Sequence, residues 1–439
     1  MARKLFGTDG VRGVAGEFLS AELALALARA ATNLADAERP QVLIVRDTRE
    51  SGEMLEAAVA AGVASAGGDA LLGGVLPTPA APLLLRRYGF DLAVVLSASH
   101  NQYADNGVKF FAADGYKLSD ETERKIEAAL EREPLGEGAS IGGVRALRGA
   151  GEDYLRELHT RFAELDLSGA DVLLDCANGA TFALAPEIFR RLGASVSVIA
   201  DAPDGRNIND GVGSTHVEAL AARVLAGGHH VGFAFDGDGD RVLAVDRKGE
   251  IVDGDELLAL AALHLRDGGR LNGDGVAVTV MTNYGFHSAM ERAGITVSTT
   301  QVGDRYVLEE LRARSWALGG EQSGHIIEMG FNRTGDGIAS ALLTMEALAG
   351  GDLAERHAMA KLPQRLVNVR VRDREALAGA AGVAEAVRTA DEELSGRGRV
   401  LVRPSGTESL VRVMVEAPTD AEAADVCDRL VALVEAELG

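Results

Sequence analysis

Residues with chemically active side chains follow directly after a short apolar run near residue 95 of this chain. The run, 92–96 (Leu-Ala-Val-Val-Leu), is typical of a strand buried on both faces of a sheet, and the polar residues 97–101 (Ser-Ala-Ser-His-Asn) come next. Ligands bind at this carboxyl edge in open α/β sheets. Ser99 can carry a covalent group if it is activated, and His100 and Lys109 are near enough in sequence to help. The alternative is a polar loop that caps a helix.

Three carboxylates alternate with glycine after a second predicted strand, at Asp236, Asp238 and Asp240. Carboxylates this close repel one another, and a divalent cation relieves the repulsion. The loop is not an EF-hand, because its sixth and twelfth positions are Arg241 and Arg247 rather than glycine and glutamate. Oxygen ligands favour Mg²⁺ over zinc, and Arg241 beside them suits a phosphate. A solvated acidic turn is the alternative.

Two further loops carry groups suited to a sugar phosphate. Residues 403–407 (Arg-Pro-Ser-Gly-Thr) offer a guanidinium, two hydroxyls and a flexible backbone for a phosphate, with an ordinary turn as the alternative. Residues 320–325 (Gly-Glu-Gln-Ser-Gly-His) offer hydroxyl-binding groups, and His325 can act as a general acid or base, although a lone histidine is more often structural. The candidate substrate-binding residues are Glu321, Gln322, Ser323, Arg403, Ser405, Gly406 and Thr407.

Composition restricts the partners of this chain. A net charge of −22 disfavours nucleic acid and anionic membrane surfaces, and no run of about 18 apolar residues appears. The two cysteines, Cys176 and Cys427, lie far apart, which fits a reducing compartment without a zinc site. The first residues lack the apolar segment of a signal peptide. We therefore expect a cytoplasmic protein that binds a small anionic substrate through local basic groups, with neither nucleic acid nor a membrane as partner.

The elements that must position these loops alternate between strand and helix. A chain of 439 residues exceeds one core, and 53 glycines with 4% aromatic residues suit many tight strand-to-helix turns. Three rounds of similar length each end in an apolar strand and a polar loop, and three short strands with two helices follow from about residue 361. The sequence thus predicts an α/β protein of three related units with mixed sheets and a smaller C-terminal α+β domain. The predicted domains are 1–150, 151–250, 251–362 and 363–439. They carry, in this order, the serine loop (97–101), the metal loop (236–241), the sugar loop (320–325) and the phosphate loop (403–407).

Five motifs, in order along the whole chain, together resemble those of the α-D-phosphohexomutase family. GTDGVRG and GEQSGH are most similar to the bacterial phosphoglucosamine mutases of that family. Gln102 and Ser409 stand where the family usually has proline, which puts only local loop rigidity in doubt. The motifs are FGTDGVRG from Phe6, SASHN from Ser97, DGDGDR from Asp236, GGEQSGH from Gly319 and RPSGTE from Arg403, with VGDRYV from Val302 and NIND from Asn207 as further matches.

The resemblance implies four domains around a central cleft and a phosphoryl shuttle. Ser99 would be a phosphoserine, and one Mg²⁺ per chain would be held by its phosphate with the three aspartates. The implied reaction interconverts glucosamine 6-phosphate and glucosamine 1-phosphate through glucosamine 1,6-bisphosphate, which acts as intermediate and activator. Arg403, Ser405 and Thr407 would grip the phosphate that is not reacting, while Glu321 and Ser323 hold ring hydroxyls. The candidate catalytic residues are Ser99, His100, Lys109, Arg241, His325 and Arg12, and the candidate metal ligands are Ser99, Asp236, Asp238 and Asp240.

Three alternatives remain open on the sequence. The phosphomannomutase and phosphoglucomutase activities of the same family differ only in the substituent at C2 of the sugar. Asp238-Gly239-Asp240-Arg241-Val242 also fits the D-x-D-x-[TV] pattern of haloacid-dehalogenase-type phosphatases, although that hypothesis leaves SASHN and RPSGTE unexplained. The third is a sugar-phosphate binding module without catalysis. The oligomeric state is also open, with a homodimer as one assembly to test.

Overall fold

The protein forms two compact units. The computed structural model describes residues 5–130, 140–405 and 409–439. The first unit comprises Met1–Val280 and Thr296–Arg356, and the second comprises Met281–Ile295 and His357–Gly439. Among the described residues, no helix is both long and apolar enough to span a bilayer.

The first sheet of the first unit carries the serine loop. Its six strands lie in the order β1-β5-β4-β2-β3-β6, where β4 is parallel to β2 and antiparallel to β5. All five residues of β4 are buried, as its apolar sequence predicts. The strands are β1 (Val11–Val14), β2 (Gln41–Arg46), β3 (Asp69–Val75), β4 (Leu92–Leu96), β5 (Asp105–Ala112) and β6 (Val144–Ala146), and the helices are α1 (Ala21–Asn33), α2 (Ser51–Ser65), α3 (Ala80–Tyr88) and α4 (Asp120–Leu130).

The second sheet carries the metal loop between its strands β9 and β10. The order is β11-β10-β9-β7-β8, with β9 parallel to β7 and antiparallel to β10. Its elements are α5 (Ala150–Arg161), β7 (Asp171–Asp175), α6 (Leu184–Arg191), β8 (Ser195–Ile199), α7 (Val217–Gly227), β9 (Val231–Phe235), β10 (Val242–Asp246) and β11 (Ile251–Val252).

The third sheet carries the sugar loop between β14 and β15. The order is β13-β12-β14-β15, with β14 parallel to β12 and antiparallel to β15. Asp253 and Glu256 form a capping box that starts α8, so the chain turns sharply after β11. The elements are α8 (Gly254–Asp267), β12 (Gly275–Thr279), β13 (Thr296–Thr300), α10 (Asp304–Arg314), β14 (Leu318–Gly320), β15 (Ile326–Glu328) and α11 (Gly337–Leu348).

One arrangement recurs in these three sheets. In each, the strand before the polar loop pairs in parallel with one neighbour and antiparallel with the strand that follows the loop. The serine, metal and sugar loops therefore occupy the same topological position, at the carboxyl end of β4, β9 and β14. This repetition agrees with the three related units predicted from the sequence.

The second unit is a smaller α+β fold. Its antiparallel sheet has the order β16-β18-β17, and residues of β18 and α13, among them Val411, Val413 and Leu430, share one buried apolar cluster. The elements are α9 (Tyr284–Arg292), β16 (Gln364–Arg370), α12 (Ala381–Leu394), β17 (Arg399–Pro404), β18 (Leu410–Glu416) and α13 (Asp420–Leu438). The predicted fold class, α/β with a smaller C-terminal α+β part, is confirmed.

Several element predictions need correction. The sequence analysis does not predict β1, β5, β10 or β15: β1 and β5 contain glycine and polar residues typical of loops, whereas β10 and β15 are short and directly follow the polar loops 236–241 and 320–325. The glycine-rich composition of 134–151 predicts a loose segment, but 140–151 include β6 and the first residues of α5, whereas 134–139 lie outside the described residues. The apolar pattern of 181–192 predicts a helix from Thr181, and the observed helix begins at Leu184.

Candidate active site

Ser99 lies at the turn between β4 and β5, in contact with the metal loop. It is 1% exposed, and its Oγ donates a hydrogen bond to Asp236 Oδ2 at 2.6 Å. The Nδ1 of His100 lies 3.2 Å from the same Oγ. Burial, followed by the charges of Arg241 and Arg12, lowers the pKa of His100 to about 4. His100 is therefore neutral near pH 7 and can accept a proton from the serine.

The three aspartates of the metal loop are buried and form one cluster. Each offers a carboxylate oxygen, and these oxygens lie within 4.8 Å of one another. Burial, then the charges of Asp240 and Asp238, raises the pKa of Asp236 well above its usual range. The Oδ1 atoms of Asp238 and Asp240 are buried and have no hydrogen-bond partner among the described residues. A cation coordinated by oxygen would satisfy both atoms and relieve the repulsion, so the residues fit a divalent metal ion.

Basic side chains line the edge of this cluster. Lys109 is 1% exposed, and its Nζ lies 2.8 Å from Asp238 Oδ2, which also accepts a hydrogen bond from Thr78 Oγ1 at 2.6 Å. Burial opposes the charge of Asp238, but the ion pair with Lys109 outweighs it and lowers the pKa of this carboxyl. Arg241 Nε lies 3.7 Å from Asp240 Oδ1.

Lys109 begins a series of ion pairs that we call the charge ring. Its Nζ contacts Asp9 Oδ2 at 2.8 Å as well as Asp238. Asp9 also pairs with Lys117 and with Arg12. Burial raises the pKa of the Asp9 carboxyl, but these cations outweigh it and hold the pKa well below its usual range.

The charge ring returns to the metal loop through the third sheet. Lys117 Nζ lies 2.5 Å from Asp304 Oδ2, which is 3.8 Å from His325 Nε2. His325 Nδ1 lies 3.5 Å from Asp240 Oδ2. Because Nε2 accepts the amide proton of Gly335 at 2.9 Å, Nδ1 must carry the ring proton and face the metal loop. The members in order are Asp238, Lys109, Asp9, Lys117, Asp304, His325 and Asp240.

The sugar loop packs directly on the strand that follows the metal loop. Val242 N donates to the carbonyl of Gly324 at 3.1 Å, and a Cβ on Gly324 would lie 2.0 Å from the Val242 carbonyl oxygen. Glu321 Oε1 accepts the amide of Gly303 at 3.0 Å. Ser323 Oγ is buried without a hydrogen-bond partner in the part of the chain that the structure describes. This hydroxyl is therefore free to bind a ligand.

Gln322 has a structural contact that the sequence did not indicate. Its Nε2 donates to Asp253 Oδ2 at 3.3 Å, and its carbonyl accepts the amide of Gly254 at 3.0 Å. Both contacts hold the sugar loop against the start of α8. Gln322 and Glu321 are thus predicted sugar-binding residues whose side chains already make hydrogen bonds within the fold.

The predicted phosphate loop belongs to the second unit. Arg403 on β17 is the cross-strand partner of Arg412 on β18. Burial, and then the charge of Arg412, lowers the pKa of Arg403. Its Nη2 contacts Met281 Sδ at 3.5 Å, and neither arginine pairs with a carboxylate among the described residues. Ser405 is buried, whereas the predicted Gly406 and Thr407 lie outside the described residues.

The first unit thus brings together most of the residues predicted for catalysis and metal binding. Arg12 on β1 joins them through Asp9. Sequence analysis assigned no role to several contacting residues, because their partners lie more than 100 positions away in the chain. Asp9, Asp304 and Asn209 were present in the quoted motifs, which is the signal that could have identified them. The residues without an assigned role are Asp9, Thr78, Lys117, Asn209 and Asp304.

Four segments of the chain match models of one protein family. Segments 3–136, 152–249 and 253–366 match the family models described as Phosphoglucomutase/phosphomannomutase, alpha/beta/alpha domains I, II and III, respectively. Segment 366–433 matches the C-terminal domain of the same family. The four matches follow one another along the chain and together cover most of it.

Individual relatives are similar to this chain over nearly its full length. A phosphoglucosamine mutase from Moorella thermoacetica is 52% identical over 424 residues, which cover 94% of this chain and 95% of the relative. One from Bacillus cereus is 47% identical over 451 residues, covering 99% of each chain. A solved phosphoglucomutase/phosphomannomutase family protein from Burkholderia thailandensis shares the fold, with a TM-score of 0.82 at 22% identity over 99% of this chain and 98% of that one. The chain belongs to the phosphoglucomutase/phosphomannomutase family.

Proposed function

We propose that this protein is an isomerase that interconverts glucosamine 6-phosphate and glucosamine 1-phosphate. The observation that carries the proposal is the contact of the buried Ser99 hydroxyl with Asp236, at the entrance of a buried cluster of three carboxylates. A hydroxyl in such a place suits a residue that alternates between serine and phosphoserine. Two relatives about half identical to this chain are named phosphoglucosamine mutase, which favours the amino sugar.

The proposed chemistry is two phosphoryl transfers of opposite direction. In the first, the P–Oγ bond of phospho-Ser99 breaks while a bond forms between phosphorus and a hydroxyl oxygen of the sugar phosphate, giving glucosamine 1,6-bisphosphate. The sugar hydroxyl loses its proton, and Ser99 Oγ gains one. In the second, the bond between the other phosphorus and its sugar oxygen breaks while a new P–Oγ bond forms, Ser99 Oγ loses its proton, and the released sugar oxygen gains one. The released bisphosphate would also act as the activator that phosphorylates a bare serine.

The metal loop supplies ligands for one Mg²⁺ per chain in this proposal. Asp236, Asp238 and Asp240 would hold the ion together with the Ser99 phosphate, because all offer oxygen ligands and two of these oxygens accept no hydrogen bond within the described part of the chain. Mg²⁺ bound there would neutralise charge on the transferring group.

Protein groups near Ser99 would move protons and stabilise charge. His100, which is neutral and 3.2 Å from Oγ, is our choice for exchanging the serine proton. His325 presents Nδ1–H toward the metal loop and would donate a proton to the sugar oxygen that is released in the second transfer. Lys109, Arg241 and Arg12 would offset the charge of the transferring group.

Binding of the substrate is assigned to two loops. Glu321 and Ser323 would hold ring hydroxyls, with Gln322 fixing their loop. Arg403 and Ser405 would bind the phosphate that is not reacting, because a guanidinium meets phosphate with two parallel hydrogen bonds. Gly406 and Thr407 are proposed for the same role on their sequence alone.

Family membership favours the mutase over a haloacid-dehalogenase-type phosphatase. We keep the domain limits 1–150, 151–250, 251–362 and 363–439 as a proposal, which the four matched segments support. A cytoplasmic location, a sugar phosphate as partner without nucleic acid or membrane, and a homodimer as the assembly to test also remain proposals.

A coupled assay with glucosamine 6-phosphate, glucose 1-phosphate and mannose 1-phosphate tests the activity. The purified protein, started with a catalytic amount of glucose 1,6-bisphosphate, should convert the glucosamine ester with a kcat/KM at least about tenfold above the other two, the scale that one well-placed hydrogen bond gives. Faster turnover of the glucose or mannose ester would assign the protein to those sister activities. Binding without turnover of any ester would support the binding module instead.

A further inference from the structure

Arg49 is fully buried and serves no role in the chemistry described above. It follows β2, with 0% exposure, and its Nε donates to Asp47 Oδ2 at 2.8 Å. Its Nη1 and Nη2 groups donate to four backbone carbonyls of the loop that carries Ser99. These carbonyls belong to Ser99 (3.0 Å), Asn101 (2.7 Å), Asp105 (2.9 Å) and Gln102.

Asn209 reaches two of the same carbonyls from the second sheet. It is 3% exposed, and its Nδ2 donates to the carbonyls of Ser99 and Asn101, both at 2.9 Å. The backbone of the metal loop lies close to this point as well, since a Cβ on Gly237 would come within 2.7 Å of the Ser99 carbonyl oxygen. The backbone of the serine loop is therefore held by its own sheet and by its neighbour.

The serine needs such support because of its conformation. Ser99 has a φ of 53°, in the left-handed region that non-glycine residues rarely adopt. Asp47 assists, because its Oδ2 accepts the Ser97 hydroxyl at 2.5 Å, and Ser97 Oγ in turn accepts the Ser99 amide at 3.0 Å. This backbone conformation determines where Oγ lies relative to Asp236.

We propose that Arg49 and Asn209 are positioning residues for phosphoryl transfer. They fix the Ser99 backbone so that its Oγ stays beside the metal loop, and neither touches the reacting atoms. The inference rests on the proposed function of Ser99. Lysine cannot replace Arg49, because all N–H donors of a lysine side chain belong to one nitrogen, whereas the guanidinium of Arg49 reaches carbonyls from residue 99 to residue 105.

The first test compares Arg49→Lys with Arg356→Lys. Arg356 is a matched control: its side chain is 15% exposed, it pairs with Asp246 and Glu256, both at 2.8 Å, and it has no contact with the serine loop in the described structure. We expect Arg49→Lys to lower kcat about 100-fold with little change in KM, the cost of a displacement of about 1 Å at a reacting group. Amide exchange should accelerate in peptides covering 97–105. Arg356→Lys should keep kcat within about threefold, whatever its loss of Tm.

Asn209→Ala tests the same proposal without a change next to β2. If Arg49→Lys does not fold, this variant shows whether the Ser99 backbone is positioned in this way. It should lower kcat about tenfold, and the double variant should lose less than the product of the two single losses, because both residues act on the same carbonyls. Folded Arg49→Lys or Asn209→Ala protein with wild-type kcat and unchanged exchange in 97–105 would overturn the proposal. A wild type without mutase activity would refute the proposed function instead, and the exchange data would still show whether the loop is held in this way.

Discussion

The two compact units differ in how their charged side chains are paired. In the first, the lysines, aspartates and histidine of the charge ring pair with one another at separations of at most 3.8 Å. In the second, Arg403 and Arg412 are cross-strand neighbours of the same sign, and no carboxylate of the described ranges pairs with either. The first arrangement suits chemistry, because its groups are fixed before substrate arrives. The second suits recognition, because two guanidiniums gain a partner only when an anion binds.

The sharpest test of the first region is Ser99→Ala, which removes the proposed phosphoryl carrier. Turnover should fall roughly 10⁴-fold or more while the fold is retained. Intact-mass measurement should find one phosphate on the wild type and none on the variant. Ser65→Ala is the control, since that hydroxyl lies on α2 and donates to the Gly62 carbonyl at 2.8 Å; this variant should keep the phosphate on Ser99. A fully active Ser99→Ala protein would remove the chemistry from this loop.

The next effect in size concerns the metal loop. Asp238→Asn should weaken Mg²⁺ binding and turnover together, by about 100-fold, and excess Mg²⁺ should partly restore the rate. Calorimetric titration of Mg²⁺ and the coupled assay measure the two quantities separately. If EDTA leaves the wild-type rate unchanged, the three aspartates do not form a metal site that the reaction needs.

Arg403→Lys tests the second region, because lysine keeps the charge but loses the fork. We expect KM to rise and transition-state stabilisation to fall by roughly 1.5–3 kcal/mol, the scale of a charged hydrogen bond. Arg399→Lys is the control on the same strand, since Arg399 is paired with Glu416; its effect should appear in stability rather than KM. Unchanged kinetics for Arg403→Lys would move the phosphate anchor to Arg412 or Arg12.

A further test compares two aspartates of the metal loop by their effects on stability in EDTA. Burial and the neighbouring carboxylates raise the pKa of Asp236, whereas Lys109 lowers that of Asp238 despite burial. Asp236→Asn should therefore raise the free energy of unfolding of the metal-free protein by about 1 kcal/mol, and Asp238→Asn should lower it by about 3 kcal/mol. Urea titrations measure both. Equal effects of the two substitutions would contradict the ion pair of Asp238.

The raised pKa of Asp236 also sets the sign of a pH dependence. The folded metal-free protein binds a proton at Asp236 more readily than the unfolded chain, so this group makes stability rise as pH falls through the raised pKa toward the ordinary range of a carboxyl group. Asp236→Asn should lose that contribution. Identical pH slopes for the variant and the wild type in EDTA would show that Asp236 titrates normally.

Sequence reasoning identified the candidate residues that stand close together in the chain. Ser99 and the three aspartates stand in short loops after apolar strands, so residue type and position were enough to predict the candidate site. It failed for β5, because the buried Lys109 interrupts the apolar pattern, and its ion pairs with Asp9 and Asp238 make that burial tolerable. The roles of Arg49 and Asn209 were equally hidden, since both act on backbone carbonyls 50 and 110 positions away.

The charge ring has a consequence for how the protein folds. Its ion pairs join residues 108, 129 and 187 positions apart, and the histidine that returns to the metal loop is residue 325. Contacts of such separation form late, after the entropy of closing long loops has been overcome. During synthesis, the first two sheets therefore emerge with Lys117 and Asp240 still lacking their partners from the third. We expect a nascent chain that stops before residue 300 to leave these charges without their partners, and therefore to complete the geometry of the charge ring only after the third sheet has been synthesised.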